Sequence, residues 1–178
     1  MKIKLLPIVA CLSLPVMALA APQVTFMGEV TDQTCQPQIN GETNSVVLLP
    51  TVRNSELQTV GATAGLTPFT ISLTGCTAPT SADLNINTVF LGHNVTTKGN
   101  LGNIAEDIPA TNVELQLLDS DSGTNAITLN GPTTAAGLVL KQGETSTDHK
   151  FAVQYISEDG SAQAGKVKGI VEYTVSYL

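Results

Sequence analysis

Aromatic and charged residues are scarce in this sequence of 178 residues. It contains no Trp, and its four Phe and three Tyr amount to 4%, too few for the aromatic cluster that builds a sugar-binding platform. Charged residues amount to 13%, and Asp and Glu outnumber Lys and Arg by 15 to 8, for a net charge of −7. This acidic balance opposes binding to nucleic acid or to anionic lipid.

Residues suited to catalysis are equally few. The sequence has two His residues, His93 and His149, and both stand beside turn residues, which favours positions on the surface. No Gly-x-Ser-x-Gly elbow and no phosphate-binding glycine loop occurs, and two isolated histidines provide no partners for a nucleophile. We therefore predict no enzyme activity, no cofactor and no metal ion.

One stretch faintly resembles a cation site. Asp119 and Asp121 have the alternate spacing that begins a calcium-binding loop, but Asn130 stands at the twelfth position, where an EF-hand requires Glu. We favour a polar hairpin turn between Leu118 and Ile127.

Residues 1–20 are predicted to be a secretory signal peptide. Lys2 and Lys4 precede an apolar run over residues 5–19, and a small-x-small cleavage site ends at Ala20. A membrane anchor is disfavoured, because the run is shorter than the roughly 20 residues that span a bilayer and contains two prolines. Lipoprotein processing at Cys11 is the other alternative, although it would leave an unusually short apolar stretch.

Removal of the predicted signal peptide would take Cys11 with it and leave Cys35 and Cys76 as a pair. The signal peptide also predicts export to an oxidising compartment. Such a pair favours a disulfide. It would close a loop of about 40 residues and stabilise the fold by roughly 4 kcal/mol in the entropic account. Two thiols so far apart lack the short paired spacings of a zinc site.

The remainder of the chain has the pattern of an all-β domain. Short apolar or alternating runs are interrupted by turn residues. The predicted strands are residues 24–31, 46–49, 68–74, 84–91, 113–118, 127–129, 138–140, 151–156 and 169–178. Residues 32–42 and 61–66 are predicted as loops, and residues 54–60 as a short helical turn. One β-sandwich over residues 31–178 accounts for this order.

The last predicted strand alternates cleanly. Val171, Tyr173, Val175 and Tyr177 share one face, which we expect to pack against a core. A strand that continues to Leu178 needs something to hold it, because chain ends tend to fray. An ordinary final strand that is paired on both sides is the alternative.

An apolar segment follows the predicted cleavage site. Val24, Phe26, Gly28 and Val30 share one face of an extended stretch, and such an end is prone to aggregation unless it is paired. The alternative is the first strand of the domain's own sheet, which we expect for the part near Val30.

The order of short motifs resembles the major subunits of type 1-like fimbriae. The motifs are Phe-Met-Gly-Glu-Val at 26–30 before Cys35, Leu-Pro-Thr-Val at 49–52, Gly-Ala-Thr at 61–63, Pro-Phe-Thr-Ile at 68–71 before Cys76, Phe-Leu-Gly at 90–92, Thr-Asn-Val at 111–113, Leu-Gln-Leu-Leu-Asp at 115–119 and Phe-Ala-Val-Gln-Tyr at 151–155. Gly165 and Tyr177 match the glycine and the aromatic residue of that family's chaperone-recognition motif.

This resemblance implies an incomplete immunoglobulin-like β-sandwich that lacks its last strand, with a hydrophobic groove beside the C-terminal strand. A periplasmic chaperone is then expected to fill the groove with its own strand. The chaperone strand is expected to pair along the C-terminal strand, at Val171, Tyr173, Val175, Tyr177 and Leu178. Gly165 is the glycine of the recognition motif.

The resemblance also implies that the next subunit supplies the lasting strand. At an outer-membrane usher, the N-terminal extension over residues 21–30 would replace the chaperone strand, with Val24, Phe26 and Gly28 as donor residues, and build a head-to-tail homopolymer. Only residues 21–25 precede Phe26, fewer than in many type 1 subunits. The donor strand therefore begins almost at the mature terminus or overlaps the first domain strand.

The predicted function is a structural subunit of a surface fimbria that supports cell adhesion and is exported through the periplasm. A minor or tip-associated pilin that binds a host glycan or glycoprotein is the alternative, and a host receptor would then be a further partner. A two-domain tip adhesin is disfavoured because the chain has one domain and a plausible donor extension. A secreted β-sandwich enzyme has no supporting residues.

Overall fold

The computed structural model describes Phe26 and residues 28–43 and 45–177. Within this part of the chain, eight strands form two antiparallel sheets, and a single 3₁₀ turn spans Asn54–Leu57. The strands are β1 (Gln36–Ile39), β2 (Ala62–Thr74), β3 (Leu84–Gly92), β4 (Glu114–Leu118), β5 (Ala126–Ile127), β6 (Thr133–Leu140), β7 (Thr147–Ser157) and β8 (Val171–Ser176). The predicted all-β class is confirmed.

The two sheets have the orders β1-β2-β7-β4-β5 and β6-β3-β8. Their facing sides meet in one core, because every second side chain of the long strands points inward. Ile71 and Phe151 from the first sheet and Ile86 and Phe90 from the second are almost fully buried. Phe90 meets Phe151 edge to face, with ring centroids 5.2 Å apart, so this pair joins the sheets. Burial of each ring contributes about 1.5–3 kcal/mol.

The predicted disulfide between Cys35 and Cys76 is present. It joins the residue before β1 to a residue just after β2, next to the antiparallel pair Gln36 and Thr74. The bond therefore holds the short first strand at the edge of its sheet.

Several strand boundaries differ from the sequence-based prediction. Residues 62–66, predicted as loop, belong to β2, which includes a register shift between Ala64 and Thr67 with Gly65 at a φ of +69°. Glycine adopts this backbone conformation without the steric cost of a Cβ, and the Gly-Ala-Thr composition therefore suggested a loop. Strand β1 lies inside the predicted loop 32–42, because polar residues in an edge strand leave little apolar alternation.

The predicted signal peptide, Val24 and Leu178 lie outside the described residues. In the part of the chain that is described, no helix has the length and apolar character needed to cross a membrane.

Candidate functional site

Strand β8 lies at the edge of its sheet among the described residues. It pairs with β3 on one side only, with Phe90 opposite Tyr173. The inward side chains pack against the core, yet each is only half-buried. They are Val171, Tyr173, Val175 and Tyr177. The core is therefore uncovered along this strand.

The backbone of β8 offers hydrogen-bonding groups on its open side. The His93 N–H donates to the Ile170 carbonyl over 3.0 Å, just beyond the opposed pair Gly92 and Val171. Hydrogen-bonded and non-bonded pairs alternate along an antiparallel ladder, so every second residue after Ile170 points its N–H and C=O toward β3. The residues between them point theirs away from β3. We call these outward groups of Val171, Tyr173, Val175 and Tyr177 the acceptor edge.

Residues 45–52 form a second apolar border of the same core. Val47 and Leu49 are half-buried against it, whereas Val46 and Leu48 are 80% and 83% exposed. This alternation is that of a strand, as predicted for 46–49. However, none of residues 45–52 pairs with another strand in the described structure. The predicted strand at 46–49 is therefore wrong, because the segment alternates like a strand but belongs to no sheet. A period of two shows which side chains face the core, and it does not show whether a partner strand is present.

A cavity of about 790 Å³ lies beyond the start of β8. It separates the end of segment 45–52 from residues 163–168, which we call the strap and which lead into β8. Its apolar lining includes Val52, Leu57, Val113, Tyr155 and Val167. We call the open side of β8, together with this cavity, the groove.

Gly165 lies where the strap passes close to the opposite loop. The Lys166 N–H donates to the Ile108 carbonyl over 2.8 Å, and the Ala110 N–H donates to the Lys166 carbonyl over 2.9 Å. A Cβ on Gly165 would lie 2.3 Å from the Ala110 nitrogen and 2.5 Å from the carbonyl carbon of Pro109. Only glycine allows this approach. The structure therefore places Gly165 in the cavity wall and not on β8.

The N-terminal segment is exposed where the structure describes it. Phe26 is 91% exposed and Val30 is 100% exposed, and residues 28–35 belong to no strand. The expectation that the part near Val30 forms the first strand of the domain is therefore wrong, because these side chains do not reach the core. The segment does contact β8, since Gly28 and Glu29 lie beside Tyr177.

The three tyrosines all lie along the groove. Burial raises the pKa of the Tyr155, Tyr173 and Tyr177 phenols above the ordinary value of 10.0, because an ionised phenolate loses hydration in an apolar setting. For Tyr177 the negative charge of Glu29 raises the pKa further. The three phenols therefore stay protonated to a higher pH than a tyrosine in water does.

The residues considered for catalysis or metal binding lie elsewhere. The Nε2 atom of the exposed His93 lies 3.0 Å from a carboxylate oxygen of Glu172. His149 is half-buried, with its ring against Phe151 and its Nε2 2.8 Å from the Asp119 carbonyl oxygen. The predicted surface position of His149 is therefore wrong, because its ring packs between the sheets although its sequence neighbours are polar. Among the described residues, no cluster of His, Cys, Asp or Glu is placed to hold a metal ion.

The close approach at Gly165 predicts that Gly165→Ala disturbs the hydrogen bonds of the strap. The new methyl group must push two backbones apart, which costs about 1–3 kcal/mol. We expect faster hydrogen exchange at the amides of Ala110 and Lys166 in the folded variant. Gly28→Ala is the matched control, because a Cβ there would meet nothing within 4 Å. Unchanged exchange in Gly165→Ala would show that the strap does not need glycine.

The buried phenols predict that stability falls in alkali. Below a pH of about 10 the tyrosines are protonated in both the folded and the unfolded chain. Their full contribution to the free energy of unfolding is therefore present there. As the pH rises through the raised pKa values, the unfolded chain releases protons first, and folding becomes less favourable. The urea midpoint should decline over this range while tyrosinate absorbance rises. A double variant with Tyr173→Phe and Tyr177→Phe should decline less, whereas equal declines would contradict this role.

Comparison with known proteins gives one consistent result. The sequence model of the type-1 fimbrial protein A family (FimA) matches residues 49–178. The F17 fimbrial protein of Escherichia coli is 38% identical over 159 residues, covering 87% of this chain and 86% of that protein. The major fimbrial subunit SMF-1 of Stenotrophomonas maltophilia (strain K279a) is 40% identical over 162 residues, covering 86% and 90%.

Solved structures share the fold. A subunit of a chaperone-usher pilus superposes with a TM-score of 0.59 over 92% of this chain and 99% of that chain, at 13% identity. At that identity the likeness supports the fold alone, and the family rests on the sequence matches. The chain belongs to the type-1 fimbrial protein family, whose members are structural subunits of fimbriae.

Proposed function

We propose that this chain builds a fimbria by lending its N-terminal extension to the groove of the next copy. The observation that carries the proposal is the acceptor edge of β8. Its backbone groups point away from β3, and the side chains beside them are only half-buried on the core. An added strand would satisfy the backbone groups and cover the core in one step.

The extension has the chemistry of such a strand. Val24 and Phe26 are two residues apart, so both point to the same face of an extended chain. Residues 21–27 reach roughly 23 Å when extended, which is long enough to run along β8 from Val171 to Val175. Phe26 is almost fully exposed on its own subunit, which leaves it available for another one.

The contact joins two different surfaces and therefore does not close on itself. The extension leaves the domain beside Tyr177, at the C-terminal end of β8, whereas the groove runs back along β8 to the cavity. Copies that repeat a head-to-tail contact of this kind form an open fibre.

A chaperone and an usher are the assembly partners that we propose. Before assembly, the open edge and the uncovered core would expose apolar surface and unpaired backbone groups, which promote aggregation. A strand from a periplasmic chaperone would cover the same edge, and an outer-membrane usher would exchange it for the extension of the next subunit. The sequence matches to subunits of fimbriae support an assembly route of this kind.

The variant Phe26→Asp tests the donor role. A carboxylate forced into an apolar groove without a partner costs several kcal/mol, so we expect no fibres by electron microscopy while the periplasmic subunit remains present. Val30→Asp is the matched control, since Val30 is a fully exposed apolar residue of the same segment outside the donor residues, and fibres should form normally. Normal fibres from Phe26→Asp would contradict the donor assignment.

A further inference from the structure

Glu29 makes a two-point contact with the end of β8. Its Oε1 accepts a hydrogen bond from the Tyr177 backbone N–H over 3.0 Å, and its Oε2 accepts one from the Ser176 hydroxyl over 2.8 Å. Glu29 is half-buried. Both carboxylate oxygens therefore hold the C-terminal end of the strand.

One of these two bonds occupies the acceptor edge. The Tyr177 N–H points away from β3, in the same direction as the outward groups of Val171, Tyr173 and Val175. A carboxylate oxygen of Glu29 lies where a carbonyl oxygen of an added strand would otherwise accept. Because hydrogen bonds to an ionised carboxylate are stronger than those between neutral groups, a backbone carbonyl is a poor competitor at this position.

The side-chain pattern of the groove leaves the register of an added strand partly unspecified. A shift by one residue turns every side chain to the wrong face, which the apolar core rejects. A shift by two residues keeps the same faces toward the core and the same backbone direction. A second feature must therefore distinguish registers that differ by two.

We propose that Glu29 is a register stop for the donor strand. It removes the last hydrogen-bond donor of the acceptor edge, so the incoming strand pairs as far as Val175 and ends against Glu29. This inference rests on the proposed function, because it concerns the strand that fills the groove. Glu29 acts as a positioning residue, since it acts through the Tyr177 backbone.

Amide hydrogen exchange tests the register stop directly. The subunit, purified from the periplasm, is mixed with a synthetic peptide of residues 21–27 and followed by NMR. Without peptide, the Tyr177 amide should already be protected in the parent chain, and the outward amides of Val171, Tyr173 and Val175 should become protected only after peptide uptake. In Glu29→Ala the Tyr177 amide should exchange about tenfold faster without peptide and gain protection with it.

Glu29→Gln is the matched comparison, because its amide oxygen can accept the same bond from Tyr177 but carries no charge and leaves no second oxygen to accept from Ser176. Its Tyr177 amide should exchange at a rate between those of the parent chain and Glu29→Ala, and Glu29→Ala should show more than one set of peptide resonances as registers mix. If every variant takes up the peptide and Glu29→Ala matches the parent at Tyr177, the register stop is refuted while the donor-strand mechanism stands. If no variant takes up the peptide, the proposed function fails, and the register stop fails with it.

Discussion

The inward side chains of β8 pack on the main core. Beside β8, on the side away from β3, no other strand of the described chain covers that core. This constraint determines the rest of the structure. Tyr173 and Val175 are half-buried although they belong to the main core, and residues 45–52 present Val47 and Leu49 to that core without a pairing strand. An ordinary sandwich would cover this gap with a strand of its own. Here the outward backbone groups of β8 have no strand beside them among the described residues.

The remaining features stabilise the walls of that gap. The contact between Phe90 and Phe151 holds the sheets together, and the disulfide fixes β1 beside β2. The strap reaches its position because Gly165 lacks a Cβ. A stable sandwich can therefore keep an open groove, since most of its core is complete without the missing strand.

Much of this fold could be predicted from the sequence, because alternating runs such as the one over β3 indicate which side chains face a core. The unpaired state of residues 46–49 could not be predicted, since Val47 and Leu49 alternate in the same way with or without a partner strand. The position of His149 could not be predicted, because its neighbours in the sequence are polar while its ring packs on Phe151. The contact of Glu29 with Tyr177 left no trace in any local pattern, because it joins two ends of the chain.

The most direct test of the missing strand is thermal unfolding of the purified subunit with and without one equivalent of a peptide of residues 21–27. If the core lacks a strand, each chain should bind one peptide, and the Tm should rise by about 10 °C as the Val24 and Phe26 side chains are buried. A peptide of scrambled sequence should have little effect. The account would be contradicted if the subunit without peptide unfolded cooperatively at high temperature and if adding the peptide left its Tm unchanged.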